Sequence, residues 1–297
     1  MALVLAIPNY NGGRFLAETL ESLKKNRPYV RWHLQDGESS DDSITIASRF
    51  ADSDDRIVSE QDQGQADALN RAFQTAGGEV MGFINSDDCL VEDAAKAVLA
   101  EFEKDPTLDL IYGQVAWIDE NRNITGHHAG NISSLGEVLD IYGVWWNHRQ
   151  WVQPEVFWRR SLWDRVGLFN TRYDLAFDYE YWVRCFQAGA KVKSIPRTLA
   201  QFRKHPGQKS SRADEAANEI RNVVSDALRS GAAIPARDRK RIETMISYDR
   251  YQSGQDFPQG SDRPSLARML MRRPTWAFLP PVRQRIVDST LKAFRAR

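Results

Sequence analysis

Two cysteines, Cys89 and Cys185, are all that 297 residues contain. That is too few for a thiolate metal cluster or a disulfide framework, so a reducing, cytoplasmic setting is expected. No apolar run approaches the roughly 18–20 residues needed to span a bilayer. The apolar stretch at residues 2–7 is too short for a signal-peptide core and has no basic residue ahead of it. No G-x-G-x-x-G follows the first strand-like run and no G-x-x-x-x-G-K-[ST] occurs, which disfavours a dehydrogenase-type dinucleotide fold and a P-loop NTPase. H-x-E and C-x-x-C zinc patterns and a G-x-S-x-G nucleophile elbow are missing as well. Net charge is also lacking, since 40 Lys/Arg balance 40 Asp/Glu. The balance hides an asymmetry. Residues 263–297 carry nine Lys/Arg and one acid, Asp288, a local charge of +8 that leaves −8 on the rest. A basic tail on an acidic body suits a surface-directed segment better than a nucleic-acid-binding core.

The chain is 42% hydrophobic and 27% charged, which excludes a disordered chain, a coiled-coil rod and a polytopic membrane protein. Strand-like runs at 3–7, 30–34, 56–59 and 80–84 alternate with helical patterns at 14–25, 41–50, 65–74 and 92–104. Two further strands are expected at 108–112 and 114–118. This rhythm implies βαβ units and an α/β fold with a mostly parallel sheet covered on both faces. After residue 120 the pattern changes. Residues 121–131 are turn-rich, a helix is expected within 135–149, a strand at 156–158, helices at 161–166 and 178–188, and late strands at 192–195 and 199–202. From residue 214 onward the pattern is helical, so the expected division is an α/β domain at 1–212 and a helical extension at 213–297.

Ligands of open α/β sheets bind beyond the carboxyl ends of the strands, which singles out residues 8–13, 36–41, 62–70 and 85–88. Directly after the run at 80–84 stand Asn85, Ser86, Asp87 and Asp88. Adjacent carboxylates repel unless a cation or proton lies between them, and hard oxygen ligands suit Mg2+ or Mn2+ together with substrate phosphates. A helix cap for the segment from Glu92 accounts for them equally well. Asp36 could accept from a base or sugar, or simply stabilise a turn with Gly37 and Ser39. Asp67 and Asn70 share a helix face near the same rim, where a solvated face is the simpler reading. Asp178 and Glu180 open a helix. The dipole favours acids there, yet such an Asp is also well placed as a general base. His205 lies on a loop. Nine tryptophans are present, seven of them between Trp117 and Trp182. Most should be core, but adjacent Trp145 and Trp146 cannot both point inward, and an indole face suits a sugar ring.

In this order the motifs resemble an inverting family 2 glycosyltransferase of the GT-A fold, of the bacterial polysaccharide-assembly type. The likeness runs from Leu3 to about Ser211 and implies a Rossmann-like sheet flanked by helices, with a C-terminal helical extension. Residues 6–11 resemble the strand leading to the nucleotide pocket, and 35–41 the Asp-Asp-Gly-Ser-x-Asp segment whose second Asp, here Asp36, holds the base. Residues 64–70 resemble the Gly-x-x-x-Ala-x-Asn helix near the ribose. Pro8, Tyr10 and Asp36 would line the base and ribose pocket, with Asp67 and Asn70 as further candidates. Residues 85–88 match the metal-binding D-x-D-D element. Because Asn85 replaces its first Asp, the ion is expected mainly on Asp88, with Asp87 nearer the ribose and His205 of the Arg-x-His loop completing the set. Gln35 and Leu69 also depart from the pattern and leave the nucleotide open. Asp178 matches the catalytic base, with Glu180 as its competitor.

The resemblance implies a metal-dependent (Mn2+ or Mg2+) hexosyltransferase that uses a nucleotide-diphosphate sugar, a UDP- or GDP-sugar, and a glycan or lipid-linked acceptor. The enzymatic rival is a sugar-nucleotide nucleotidyltransferase, which needs a longer Gly-rich loop than Gly12-Gly13-Arg14. The non-enzymatic rival is a sugar-nucleotide or glycan-binding module, against which Asp88 and Asp178 count. The tail, residues 263–297, mixes arginines with apolar residues at helical spacing. Ile286, Leu291 and Phe294 share one side, and an apolar knuckle forms at Trp276, Phe278 and Leu279. It fits an anionic membrane surface, giving a peripheral protein on the inner face of the cell membrane. It fits equally a segment docked on the catalytic domain or on a second subunit.

Overall fold

A computed structural model describes residues 1–145, 147–254, 262, 264–279 and 281–286. The first hundred residues alternate as expected, with β1 (Leu3–Asn9), α1 (Gly13–Lys24), β2 (Val30–Asp36), α2 (Ser43–Phe50), β3 (Arg56–Ser59), α3 (Gln65–Thr75), β4 (Val80–Phe83) and α4 (Ala94–Lys104), except for a short, unexpected β5 (Cys89–Leu90) ahead of α4. There follow β6 (Leu110–Ile118), β7 (Ile124–Ala129), α5 (Leu135–Val138), β8 (Val156–Arg159), α6 (Arg160–Val166), α7 (Phe177–Gln187), β9 (Val192–Arg203), α8 (Ala213–Arg229), α9 (Ala236–Ser253) and α10 (Leu266–Arg272).

These strands form a single sheet in the order β3-β2-β1-β4-β8-β6-β9-β5, with β7 paired to β6. Parallel pairing covers β3-β2-β1-β4 and returns between β6 and β9. The contacts of β8 with β4 and β6, of β7 with β6 and of β5 with β9 are antiparallel. Period-2 alternation sends side chains to opposite faces. Leu3, Leu5 and Ile7 join Leu16, Leu20 and Leu23 of α1 on one face, and Ala6 joins Ala72 and Phe73 of α3 on the other.

Two pairs of expected strands are each one strand. β6 runs through Gly113 and β9 through Pro196, and their register jumps from Tyr112↔Ser194 to Gln114↔Thr198. The residues between bulge outward, which accommodates a proline that has no N–H for the ladder. Gly113 is required opposite this bulge, because a Cβ there would lie 2.4 Å from the Leu199 side chain and 2.8 Å from the Arg197 carbonyl. The turn-rich segment holds β7, whose mostly exposed pattern carried no strand signal. The helix expected within 135–149 is the short α5 followed by a π-helical turn at Ile141–Trp145.

The core runs across residue 212. Ile220, Val223 and Val224 of α8 and Ile242 and Ile246 of α9 join the cluster of Tyr179 and Trp182. Beyond them Met269, Trp276, Leu279 and Val282 pack on Met245, Tyr248 and Tyr251 of α9, so this part of the tail docks on the protein. Leu291, Phe294 and Trp146 lie outside the described residues. No described helix is long and apolar enough to cross a membrane.

Gly113→Ala should overpack the bulge and lower unfolding free energy by about 1–3 kcal/mol. Urea denaturation followed by tryptophan fluorescence measures this, and an unchanged midpoint would contradict it.

Candidate active site

The ends of β1, β2, β3 and β4 surround one side of a cavity of about 890 Å³, whose other side is formed by residues around Trp151 and the start of α7. Close approach of two loops shapes the first side. A Cβ on Gly12 would meet Asn9 Oδ1 at 2.3 Å and Ser86 Oγ at 2.4 Å, so the glycine lets these side chains approach its backbone closely.

Pro8 and Tyr10 line the cavity, and the Tyr10 ring stands 71% exposed at its rim. Asp36 is not among the lining residues. It is fully buried and accepts from Asn9 Nδ2 at 2.7 Å, Ser39 N at 2.9 Å and Ser59 Oγ at 2.7 Å. Burial pushes its carboxyl up, but the bonds from Ser39, Ser59 and Asn9 outweigh this and hold its pKa below the usual range. Asp36 therefore ties the loops after β1, β2 and β3 together. Asp67 also faces away, accepting from Gln63 N at 3.0 Å and pairing with Arg71 at 2.8 Å. Asn70 is buried and clamps Phe169, donating to its carbonyl at 2.9 Å and accepting from its N–H at 2.8 Å.

Asp62, within one of the strand-end segments singled out above, lines this wall together with Glu38. It accepts from Gly64 N at 2.8 Å. Burial raises its pKa, Gly64 opposes this, and the charge of Asp67 adds to the rise.

The two acids of the pair are placed differently. Asp88 is 1% exposed. One of its oxygens accepts from Arg203 N at 2.9 Å and the other from Asn85 Nδ2 at 3.2 Å. Burial and the charge of Asp87 raise its pKa well above the usual range. Asp87 is the one that lines the cavity, and its Oδ2 lies 2.9 Å from His205 Nε2. Both are held by Arg203, whose guanidinium is fully buried. Arg203 donates to the Asp87 carbonyl at 2.8 Å, to the Asp119 and Glu120 carbonyls at 3.2 and 3.1 Å, and to Glu18 Oε2 at 2.9 Å. Among the described residues no group of three His, Cys, Asp or Glu could hold a metal alone. A carboxylate beside an imidazole nevertheless fits a hard divalent ion whose other ligands are phosphate and water.

On the opposite wall Asp178, in the first turn of α7, lines the cavity and accepts from Tyr179 N at 2.7 Å. Burial pushes its pKa up to about 6. Glu180, the competing carboxylate, is spent on Arg184 at 2.9 Å, and Arg184 in turn donates to the Val166 and Leu168 carbonyls. The start of α7 is held from α8, where Glu219 accepts the N–H groups of Asp174, Leu175 and Ala176 at 3.0, 2.8 and 2.8 Å. Ala216 and Ile220 of α8 also line the cavity, so the site extends past the boundary expected at residue 212. Trp158, Trp163 and Trp182 are core, whereas Trp145 and Trp151 face the cavity.

Residues 4–172 match the family model described as glycosyl transferase family 2. The chain belongs to this family. A PGL/p-HBAD biosynthesis glycosyltransferase of Mycobacterium bovis (strain BCG / Pasteur 1173P2) is 30% identical over 194 residues, 63% of this chain and 71% of the relative. Escherichia coli chondroitin synthase is 28% identical over 62% of this chain, which spans 26% of that protein. Among solved structures, S. aureus TarS 1-349 in complex with UDP-GlcNAc superposes with a TM-score of 0.65 at 16% identity, covering 85% of this chain and 73% of that one. Against a longer TarS chain the coverage is 44% of its length. Mannosyltransferase PcManGT from Pyrobaculum calidifontis, in complex with GDP-Man and Mn2+, gives 0.60 at 17% identity over 95% of this chain and 82% of that one. These likenesses show the GT-A fold, and the chain is a glycosyltransferase.

Within this family 2 enzyme the strand ends supply one wall and α7 with α8 the other. Asn70 acts between them as a structural clamp. Asn70→Ala should strand the buried Phe169 N–H and cost about 1–3 kcal/mol. Nucleotide affinity, measured by calorimetry, should stay at the wild-type value, whereas a large loss of affinity in folded protein would return Asn70 to the ribose pocket.

Proposed function

We propose that the enzyme transfers a hexose from a UDP- or GDP-sugar to a hydroxyl of a glycan or lipid-linked acceptor, with inversion and with a divalent ion. The observation that carries this reading is the placement of Asp178 and Asp87 in the walls of one cavity, with His205 beside Asp87. The nucleotide sugars and the Mn2+ named for TarS and PcManGT support the same class of donor and metal.

The base and ribose would rest against Pro8, Tyr10 and Asp62. Asp87 and His205 would hold Mn2+ or Mg2+, which when bound supplies counter-charge for the departing diphosphate. Asp178 would take the proton of the acceptor hydroxyl. The hydroxyl oxygen then bonds to the anomeric carbon from the face opposite the diphosphate, and the bond from that carbon to the diphosphate oxygen breaks. A single displacement inverts the configuration. The raised pKa of Asp178 suits a base that works near neutrality. A nucleotidyltransferase fares worse, because Arg14 of its short Gly-rich loop points away to Glu120 at 2.6 Å.

Asp178→Asn should lower turnover by about 10²–10⁴-fold with donor affinity unchanged. Because the base works ionised and its folded pKa is raised to about 6, wild-type turnover should fall as pH drops through about 6. Any residual activity of the variant should lack that limb. Full activity of Asp178→Asn, or loss of activity in Glu180→Gln alone, would refute the assignment.

A chelator, or Asp87→Ala, should abolish metal-dependent donor binding in a calorimetric screen of nucleotide sugars with Mn2+ present. Asp88→Asn should act chiefly on thermal stability. Donor binding by Asp87→Ala with undiminished Mn2+ dependence would place the ion elsewhere.

A further inference from the structure

The catalytic site does not use the segment from Pro264 to Ile286, and its apolar residues fall into two sets. Met269, Trp276, Leu279 and Val282 are 9, 1, 5 and 0% exposed and fasten the segment to α9. Met271, Phe278 and Ile286 are 79, 71 and 42% exposed, three of the seven large hydrophobics standing out among the described residues. Residues 264–286 contain five arginines, at 268, 272, 273, 283 and 285, and no Asp or Glu, and all five are exposed. The Arg283 guanidinium lies 6.0 Å from the Phe278 ring centroid, placing charge beside an exposed apolar side chain.

We propose that this anchored segment is a docking face for an anionic lipid surface. Charge complementarity selects the occupant: an unbroken basic stretch with no acid of its own is drawn to anionic headgroups. Along the sequence, arginines stand between these exposed apolar residues. That spacing suits separate insertion at the headgroup boundary, with each arginine keeping its charge in the polar layer. A protein interface would instead gather them into one apolar centre inside a polar rim. The buried set matters as much, since it holds the exposed set on a fixed support rather than on a loose tail. The inference is independent of the transfer reaction, because it concerns binding to vesicles and not turnover.

The test is co-sedimentation of the full-length protein with phosphatidylglycerol-containing and pure phosphatidylcholine vesicles. Wild type should bind the anionic vesicles at low salt, lose them at high salt and ignore the neutral ones. Arg268→Gln/Arg272→Gln should weaken binding by about fivefold for each arginine removed. Met271→Ser/Phe278→Ser should weaken it by about tenfold or more, with melting temperature unchanged because both side chains are already exposed. Failure of wild type to bind anionic vesicles overturns the proposal, as does equal binding to neutral ones. Wild-type binding by both double variants assigns the attraction to another part of the chain and also overturns it. Capture by poly-glutamate beads without any binding to vesicles would favour an acidic protein partner instead.

Discussion

The fully buried guanidinium of Arg203 joins the carbonyl of Asp87, the turn at Asp119 and Glu120, and Glu18 of α1, while its backbone N–H holds Asp88. A buried cation is tolerable only when its charge and its donors are met. Here Glu18 meets the charge, the three carbonyls take three N–H donors and Cys89 Sγ takes the last. The loop that carries Asp87 is thereby fastened from behind, and the side chain of Asp87 is left to face the cavity. Phe15 lies beneath the same guanidinium at 4.5 Å and also meets the His205 ring at 5.0 Å. One arginine therefore positions both residues of the proposed ion site without touching the cavity itself.

The opposite wall depends on a different device. Asp178 sits in the first turn of α7, where the helix dipole favours its ionised form, yet burial is the larger effect and leaves its pKa near 6. The three N–H groups just ahead of α7 are satisfied by Glu219, so α8 sets where the helix begins. Asp178, the proposed base, thus stands beside a carboxylate, Glu219, whose charge adds to the rise of its pKa.

The sequence marks residue types at strand ends and at the start of α7 well: Pro8, Tyr10, Asp87 and Asp178 line the cavity, and His205 meets Asp87 beside it. It does not say which way a polar side chain turns. Asp36, Asp67 and Asn70 carry the expected motifs but spend their hydrogen bonds on the chain itself, on Asn9 and Ser59, on Arg71 and on Phe169. Within the acidic pair the roles depend on Arg203, 115 residues from Asp88, and no local pattern encodes that partner. Glu219 lies 43 residues from the N–H it accepts at Ala176, beyond the stretch in which a cap would be sought. The α/β alternation was legible through α4 because each element carries its own periodicity. Gly113 and Pro196 read as breaks because their compensation exists only once β6 and β9 are paired.

Sheet order also bears on how the protein is made. During synthesis β1 to β4 emerge within the first 83 residues, but β8, which joins β4 to β6, arrives only at residues 156–159, and β9 later still. Until then β4 is an open sheet edge, the kind of surface that pairs with other chains. The loop carrying Asp87 can be held early by Thr19 and Gln65, which bond Ser86 and Asn85, but it gains its Arg203 bonds only after β9 has emerged. A nascent chain therefore carries this open edge until β8 has emerged, and a break in translation within that interval leaves an unpaired strand on the fragment.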